Sequence, residues 1–393
     1  MALDLEGVRE HVRSCCFPGD TGERVGIELE WLAVDLHDPS VHVGIDRSGP
    51  VLEAAGDLPG GSRITFEPGG QIELSGPPHD SATDACAAME ADVAAARAAL
   101  EPTGIGLVGR GFDPARPHRR VLHEARYDAM ERYFAREFPA GLSMMCRTAS
   151  VQVNIDVGPP EVQATRWHLA HALNPVLAAA FANSPGAPGD HDGWRSARMG
   201  IWLDIDRTRT VPAEAAGDPV GDWTAYLLRA RVMMIGEPDG TFRSLDEPLT
   251  FGEWMTKGYD GRRPTIDDLH YHQTTVFPPV RARGWLELRM VDSLPDPWWK
   301  VPVAVAHALL VDREAAEAAS VAATPVAGWW REAGRDGLTD PDIARAAVEC
   351  FDIALKAMPR LGEAGLVDVV DDFAERFVRR GRCPADDVRD GMA

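Results

Sequence analysis

A chain of 393 residues with 40 Lys+Arg against 61 Asp+Glu carries a formal net charge of −21. That balance excludes a duplex-coating nucleic-acid binder and an anchor for anionic membranes, since both need basic surface. With 45% hydrophobic and 26% charged residues, the composition is that of a globular protein and not of an acidic disordered tail. No apolar run approaches the roughly 20 residues of a membrane span, and the amino-terminal Met1-Ala-Leu-Asp-Leu-Glu lacks the basic start and apolar core of a signal peptide. A cytoplasmic chain is expected. Cys15, Cys16, Cys86, Cys146, Cys350 and Cys383 form no C-x-x-C pair and show no zinc-site spacing, so they read as reduced thiols.

In chain order, hydrophobic periodicity predicts strands over 25–34, 62–75, 142–157, 200–204 and 285–291. Amphipathic, Ala-rich helices are predicted over 80–100, 123–137, 161–182, 301–320, 341–357 and 367–378. Segments 183–192 and 217–222 read as loops. Helices cluster at the carboxyl end, whereas strands are scattered before it. The expected class is therefore α+β, built on an antiparallel sheet, as one domain over 1–393 with a strand-rich part at 24–300 and a helical layer at 301–393. Pro68-Gly69-Gly70 suits a tight turn that folds one strand back onto the next.

Sorting each strand by parity exposes the informative pattern, because alternate side chains point to opposite faces. Glu28 and Glu30 oppose Ile27, Leu29 and Trp31, while Gln71, Glu73 and Ser75 oppose Ile72 and Leu74. Gln152, Asn154 and Asp156 oppose Val151, Val153 and Ile155, and Glu287 with Arg289 opposes Leu286, Leu288 and Met290. One such strand describes any half-buried sheet. Four together put like charges side by side, which is destabilising unless a cation intervenes. Carboxylates and amide oxygens form a hard site suited to Mg²⁺ or Mn²⁺ and poorly suited to zinc, and magnesium brings a nucleotide phosphate as co-ligand. Arginines that can fork onto phosphate or carboxylate cluster at Arg195, Arg198, Arg207 and Arg209 around Trp202, and again at Arg281, Arg283 and Arg289.

Other motifs lead elsewhere. Gly104-Ile-Gly-Leu-Val-Gly109 matches G-x-G-x-x-G but follows a predicted helix and starts none, so the dinucleotide context is missing. There is no P-loop and no G-x-S-x-G elbow. His270 and His272, without a third neighbour in sequence, read as hydrogen-bonding residues. Trp298-Trp299 reads as core or pocket wall.

Taken in order, Gly26-Ile-Glu-Leu-Glu-Trp31, Phe66-Glu-Pro-Gly-Gly-Gln-Ile-Glu-Leu-Ser75, Arg147 to Asp156, Arg198 to Arg209, and His272 to Arg281 running into Trp285-Leu-Glu-Leu-Arg289 resemble the plant and bacterial type of glutamate–cysteine ligase. These segments span residues 24 to 300, and the actinobacterial branch serving ergothioneine synthesis is the most similar. The resemblance implies a glutamine-synthetase-like catalytic sheet, a funnel or half-barrel with helices on its apolar face. It also implies ATP-dependent joining of the glutamate γ-carboxylate to the cysteine amine through a γ-glutamyl phosphate. Glu28, Glu30, Glu73, Glu287 and Gln152 would then hold Mg²⁺ or Mn²⁺, with Glu67 a weaker candidate. Arg289 and Glu287 would be catalytic, and Arg147, Arg198, Arg209 and Arg289 would bind substrate carboxylates or phosphates. The partners implied are ATP, L-glutamate and L-cysteine, with no nucleic acid and no membrane. Pro279 stands where plant members commonly have an acid. A different amine acceptor, an ATP-independent metal hydrolase and a silent nucleotide-binding member remain as competing expectations.

Overall fold

The computed structural model describes residues 3–19, 21–237, 239–245 and 247–392. Nine strands occur among them: β1 (Val25–Asp35), β2 (Arg63–Phe66), β3 (Ile72–Ser75), β4 (Ile105–Val108), β5 (Ser150–Asp156), β6 (Ile235–Gly236), β7 (Phe242–Arg243), β8 (Val280–Ala282) and β9 (Trp285–Asp292). The main sheet runs β2-β3-β1-β5-β9-β8, every pair antiparallel, and β4 pairs with the far end of β1. The antiparallel α+β expectation matches this architecture.

The alternation of apolar and polar residues decides which face is buried. Ile27, Leu29, Trp31, Val151, Val153, Ile155, Leu286 and Leu288 are all buried on one side. At roughly 1.5–3 kcal/mol for each large apolar side chain removed from water, this face is the main attraction for the helices. Helices Pro160–Ala180 and Lys300–Val311 pack on it, and both are apolar nearly all round because Arg313–Ala323 and Pro341–Ala357 cover them from outside. Helix Ala82–Leu100 covers β1 farther along. No helix among the described residues is long and apolar enough to cross a membrane.

Three expected strands differ. Segment 62–75 is a hairpin of two short strands, reversed at Glu67–Gly70, where the Gly70 amide donates to the Glu67 carbonyl at 2.8 Å. The turn needs its glycines: Gly70 has φ +89, and a Cβ on Gly69 would lie 2.2 Å from the Cys146 carbonyl oxygen. The first part of 142–157 belongs to helix Ala140–Arg147, and 200–204 belongs to helix Ala197–Asp204. Periodicity cannot separate a short apolar run in a strand from one in a buried helix turn. Ser196 separates them, since its hydroxyl accepts the Met199 amide and caps a helix start. The loops at 183–192 and just before Pro219 are present as expected, but helix Pro219–Arg229 begins inside 217–222.

Candidate active site on the carboxylate face

Pairing across the ladders puts the polar faces of six strands into one surface. Glu30 stands opposite Glu73, Thr65 opposite Glu73 from the other side, Glu28 opposite both Ser75 and Gln152, Asn154 opposite Glu287, and Arg281 opposite Glu287. This surface floors a cavity of about 350 Å³, a size suited to small-molecule ligands. Helix Ala125–Glu137 adds Arg126 and Tyr127 to its wall, and helix Ala197–Asp204 adds Arg198 and Trp202.

At one end of the floor, carboxylate oxygens of Glu30, Glu67 and Glu73 lie within 4.8 Å of one another. Each is fixed by neighbours. Glu30 accepts from the Ser150 amide at 2.7 Å and from Gln152 Nε2 at 3.0 Å. Glu73 accepts from Thr65 at 2.8 Å and from Ser75 at 2.9 Å. Glu67 is held by the hairpin turn itself. Burial first, and then the charge of Glu73, raises the Glu30 carboxyl above its ordinary value. Glu67 is raised well above its own by burial and by Glu30 and Glu73. Glu28, whose Oε1 accepts from Asn154 Nδ2 at 3.0 Å, is pushed to about 7 by burial and by the Glu287 and Glu73 charges. Crowded carboxylates that resist ionisation in the absence of a cation are what a divalent ion would relieve.

The other end of the floor is cationic. Arg281 holds Glu287 as a fork, Nε to Oε2 at 2.6 Å and Nη2 to Oε1 at 2.8 Å, while Arg289 Nη1 bonds both Glu287 and, at 2.6 Å, Gln152 Oε1. Burial works against ionisation of Glu287, yet Arg281 and Arg289 outweigh it and hold the carboxyl at about 2. A register shift between β5 and β9 falls at Val151–Val153, beside Gln152 and Arg289. Such a bulge re-aims side chains, and here it accompanies a guanidinium bonded across two strands. Arg198, 3% exposed, gives one nitrogen to the Arg289 carbonyl at 2.8 Å, while its Nη1 makes no hydrogen bond and stands 3.8 Å from Asp292 Oδ1 as an ion pair.

The residues singled out from sequence do not all meet here. Glu28, Glu30, Glu73, Gln152, Arg198, Glu287 and Arg289 line the cavity, and so does Glu67, which ranked behind them. Arg147 and Arg209 do not. Arg147 lies over the Phe112 ring and donates to the Asp113 carbonyl and to Asp190. Arg209 is fully buried, with donors spent on Asp206, Tyr133 and the carbonyls of Thr275 and Arg231. Arg63, Thr65, Arg126, Tyr127 and Thr274 were missed. Parity would have found the first two, since 63, 65 and 67 continue the alternation of 71, 73 and 75. The others arrive from helices and their ends, where strand parity is silent.

Residues 24–392 match the profile of glutamate–cysteine ligase family 2, GCS2. Glutamate–cysteine ligase EgtA of Mycolicibacterium smegmatis is 44% identical over 373 residues, covering 93% of this chain and 86% of that protein. The Mycobacterium tuberculosis protein of the same name is 42% identical over 394 residues, covering 98% and 90%. The chloroplastic glutamate–cysteine ligase of Arabidopsis thaliana is 30% identical over 350 residues, covering 83% and 65%. A solved bifunctional glutathione synthetase from Pasteurella multocida aligns with a TM-score of 0.48 at 13% identity, covering 94% of this chain and 49% of that one.

Proposed function

The chain belongs to glutamate–cysteine ligase family 2, and on that premise we propose that the cavity joins the γ-carboxylate of L-glutamate to the amine of L-cysteine at the expense of ATP, its product feeding ergothioneine synthesis. The observation that carries the reading is the division of one cavity floor into a three-carboxylate end and an arginine end. ATP-dependent acyl activation needs both, because a polyanion must be neutralised where a second anion attacks it.

The donor set fits magnesium: three carboxylates, with no cysteine and no histidine in the cavity lining. Glu30, Glu67 and Glu73 would hold it, with Glu28 and Gln152 beside them. When bound, such an ion neutralises and orients the β- and γ-phosphates. The remaining work falls to the chain's own groups. Glu287 acts through Arg281 and Arg289: with both oxygens taken by guanidinium nitrogens, it fixes the two forks. Arg289, tied on one nitrogen to Gln152 and Glu287, directs its remaining donors at the transferring phosphoryl group. Arg198, whose Nη1 makes no hydrogen bond and pairs only loosely with Asp292 at 3.8 Å, receives a substrate carboxylate.

The γ-carboxylate oxygen attacks the γ-phosphorus and ADP leaves. The cysteine amine then attacks the acyl carbon, phosphate departs, and the amine proton passes to solvent. Trp202, Tyr127 and Phe277 wall the cavity and limit water reaching the acyl phosphate.

The test is an amine screen with purified protein, Mg-ATP and glutamate, following ADP and γ-glutamyl product. Cysteine is expected to give γ-glutamylcysteine with one ADP per product. Product from another amine and none from cysteine would overturn the acceptor. Turnover without ATP would replace the ligase with a hydrolase.

A further inference from the structure

A second cluster of ligand atoms lies outside the carboxylate cavity. Helix Leu5–Cys16 buries Val8 and Val12 against helix Pro219–Arg229. His11 and Cys15 are one turn apart on its flank, the spacing at which helix side chains stand one above the other. Cys15 Sγ lies 3.7 Å from His11 Nδ1. Helix Ile266–Gln273 brings a third group to the same flank, and the His11 and His270 ring centroids are 4.3 Å apart. One ligand atom from each of His11, Cys15 and His270 lies within 4.8 Å of the other two. A tetrahedral ion with metal–sulfur and metal–nitrogen bonds of about 2.0–2.3 Å needs ligand atoms roughly 3–4 Å apart, which small side-chain rotations supply.

The surroundings select the ligand atoms. Gln273 Nε2 donates to Cys16 Sγ at 3.5 Å, which turns Gln273 Oε1 toward His11 Nε2 at 3.2 Å. His11 therefore carries its proton on Nε2 and aims the Nδ1 lone pair at Cys15. An outer hydrogen bond of this kind fixes the tautomer of metal-ligating histidines. The two adjacent cysteines are distinguished by burial, since the Cys16 thiol is buried in the core whereas that of Cys15 is exposed beside His11.

We propose that His11, Cys15 and His270 form a site for a thiophilic divalent ion of the zinc class, with the fourth position open to solvent. Binding forms a metal–thiolate bond at Cys15 Sγ and releases its proton to the medium. One sulfur and two imidazoles choose a borderline-soft ion, as the all-oxygen cluster of the cavity does not. Sequence spacing hides the site, because the third ligand comes from 255 residues farther along the chain.

The test uses Co²⁺ as the spectroscopic probe, added to the reduced full-length protein in excess Mg²⁺ so that the carboxylate cluster is occupied. A thiolate-to-cobalt charge-transfer band is expected, saturating at one equivalent and erased by Zn²⁺. Cys15→Ser should abolish the band, and His270→Gln should weaken Co²⁺ binding by about tenfold or more. Both side chains are exposed, so the variants are expected to keep the parent's circular dichroism. Cys146→Ser should leave the band intact. Absence of the band in the parent protein, or its survival in Cys15→Ser, would overturn the site.

Discussion

Glu30 and Glu73 face each other directly across the β1–β3 ladder on the same side of the sheet. Like charges at such a pair of positions destabilise a sheet, so their placement costs stability in the metal-free protein, a cost that the proposed metal ion would offset. Glu30→Gln or Glu73→Gln should lower kcat on the order of a hundredfold, by analogy with losses of metal-binding and electrostatic groups. Each should also leave the metal-free protein at least as resistant to urea as the parent. Near-normal turnover in both variants would remove these two residues from the metal site. Glu67→Gln belongs in the same series and is expected to match them in raising the Mg²⁺ concentration needed for half-maximal rate.

Glu287 should behave in the opposite way. Its carboxylate lies between Arg281 and Arg289 and is 1% exposed. Removing one member of a buried charge cluster leaves the others unpaired, typically at a cost of about 3–5 kcal/mol. Glu287→Gln is therefore expected to lose stability in urea as well as activity, whereas Glu73→Gln loses activity alone. Equal stabilities for the two variants would contradict the division of the floor into a metal end and an anchor end.

The contrast between these glutamates marks how far sequence carries. Period-two alternation was enough to put Glu28, Glu30, Glu73, Gln152 and Glu287 on one face, because strand geometry leaves no other arrangement once Ile27, Leu29 and Trp31 are buried. What each carboxylate does is a tertiary matter. Glu287 is engaged by Arg281 across the β8–β9 hairpin, and Glu67 reaches the metal end only because Pro68-Gly69-Gly70 turns tightly against Cys146. Arginines were read least well. Arg198 and Arg209 sit in similar sequence surroundings, yet one keeps a buried nitrogen without a hydrogen bond, 3.8 Å from Asp292, and the other spends its donors on backbone carbonyls and Asp206.

Two histidines predict how stability depends on pH. Burial holds His171 at about 4 and His272 at about 3, and the latter bonds the Leu227 carbonyl through Nε2. Their folded-state values lie below the ordinary 6.5. These two side chains thus take up protons in the unfolded chain as pH falls through 6.5 but not in the folded one, and their contribution to stability falls with it. The raised carboxyls of Glu28, Glu30 and Glu67 act with the opposite sign, so the histidine contribution is read as the difference between parent and variant urea midpoints from pH 7 down to pH 4. Between pH 6.5 and pH 4 the stability of His272→Gln should rise relative to the parent as pH falls, and a difference independent of pH would remove His272 from the effect.

Arg289→Lys tests the arginine end without removing its charge. Lysine is a point charge that cannot bond Gln152 and Glu287 while presenting further donors to a phosphoryl group. Turnover is expected to fall by at least tenfold, with the Mg²⁺ requirement unchanged because the carboxylate cluster is untouched. Arg209→Lys supplies the comparison. It lies outside the cavity lining, so it should lower the thermal midpoint with little change in KM for glutamate. Arg198→Lys should raise that KM, since the guanidinium nitrogen without a hydrogen bond is the donor assigned to a substrate carboxylate. Should Arg209→Lys raise KM and Arg198→Lys leave it alone, the roles given to the two arginines would have to be exchanged.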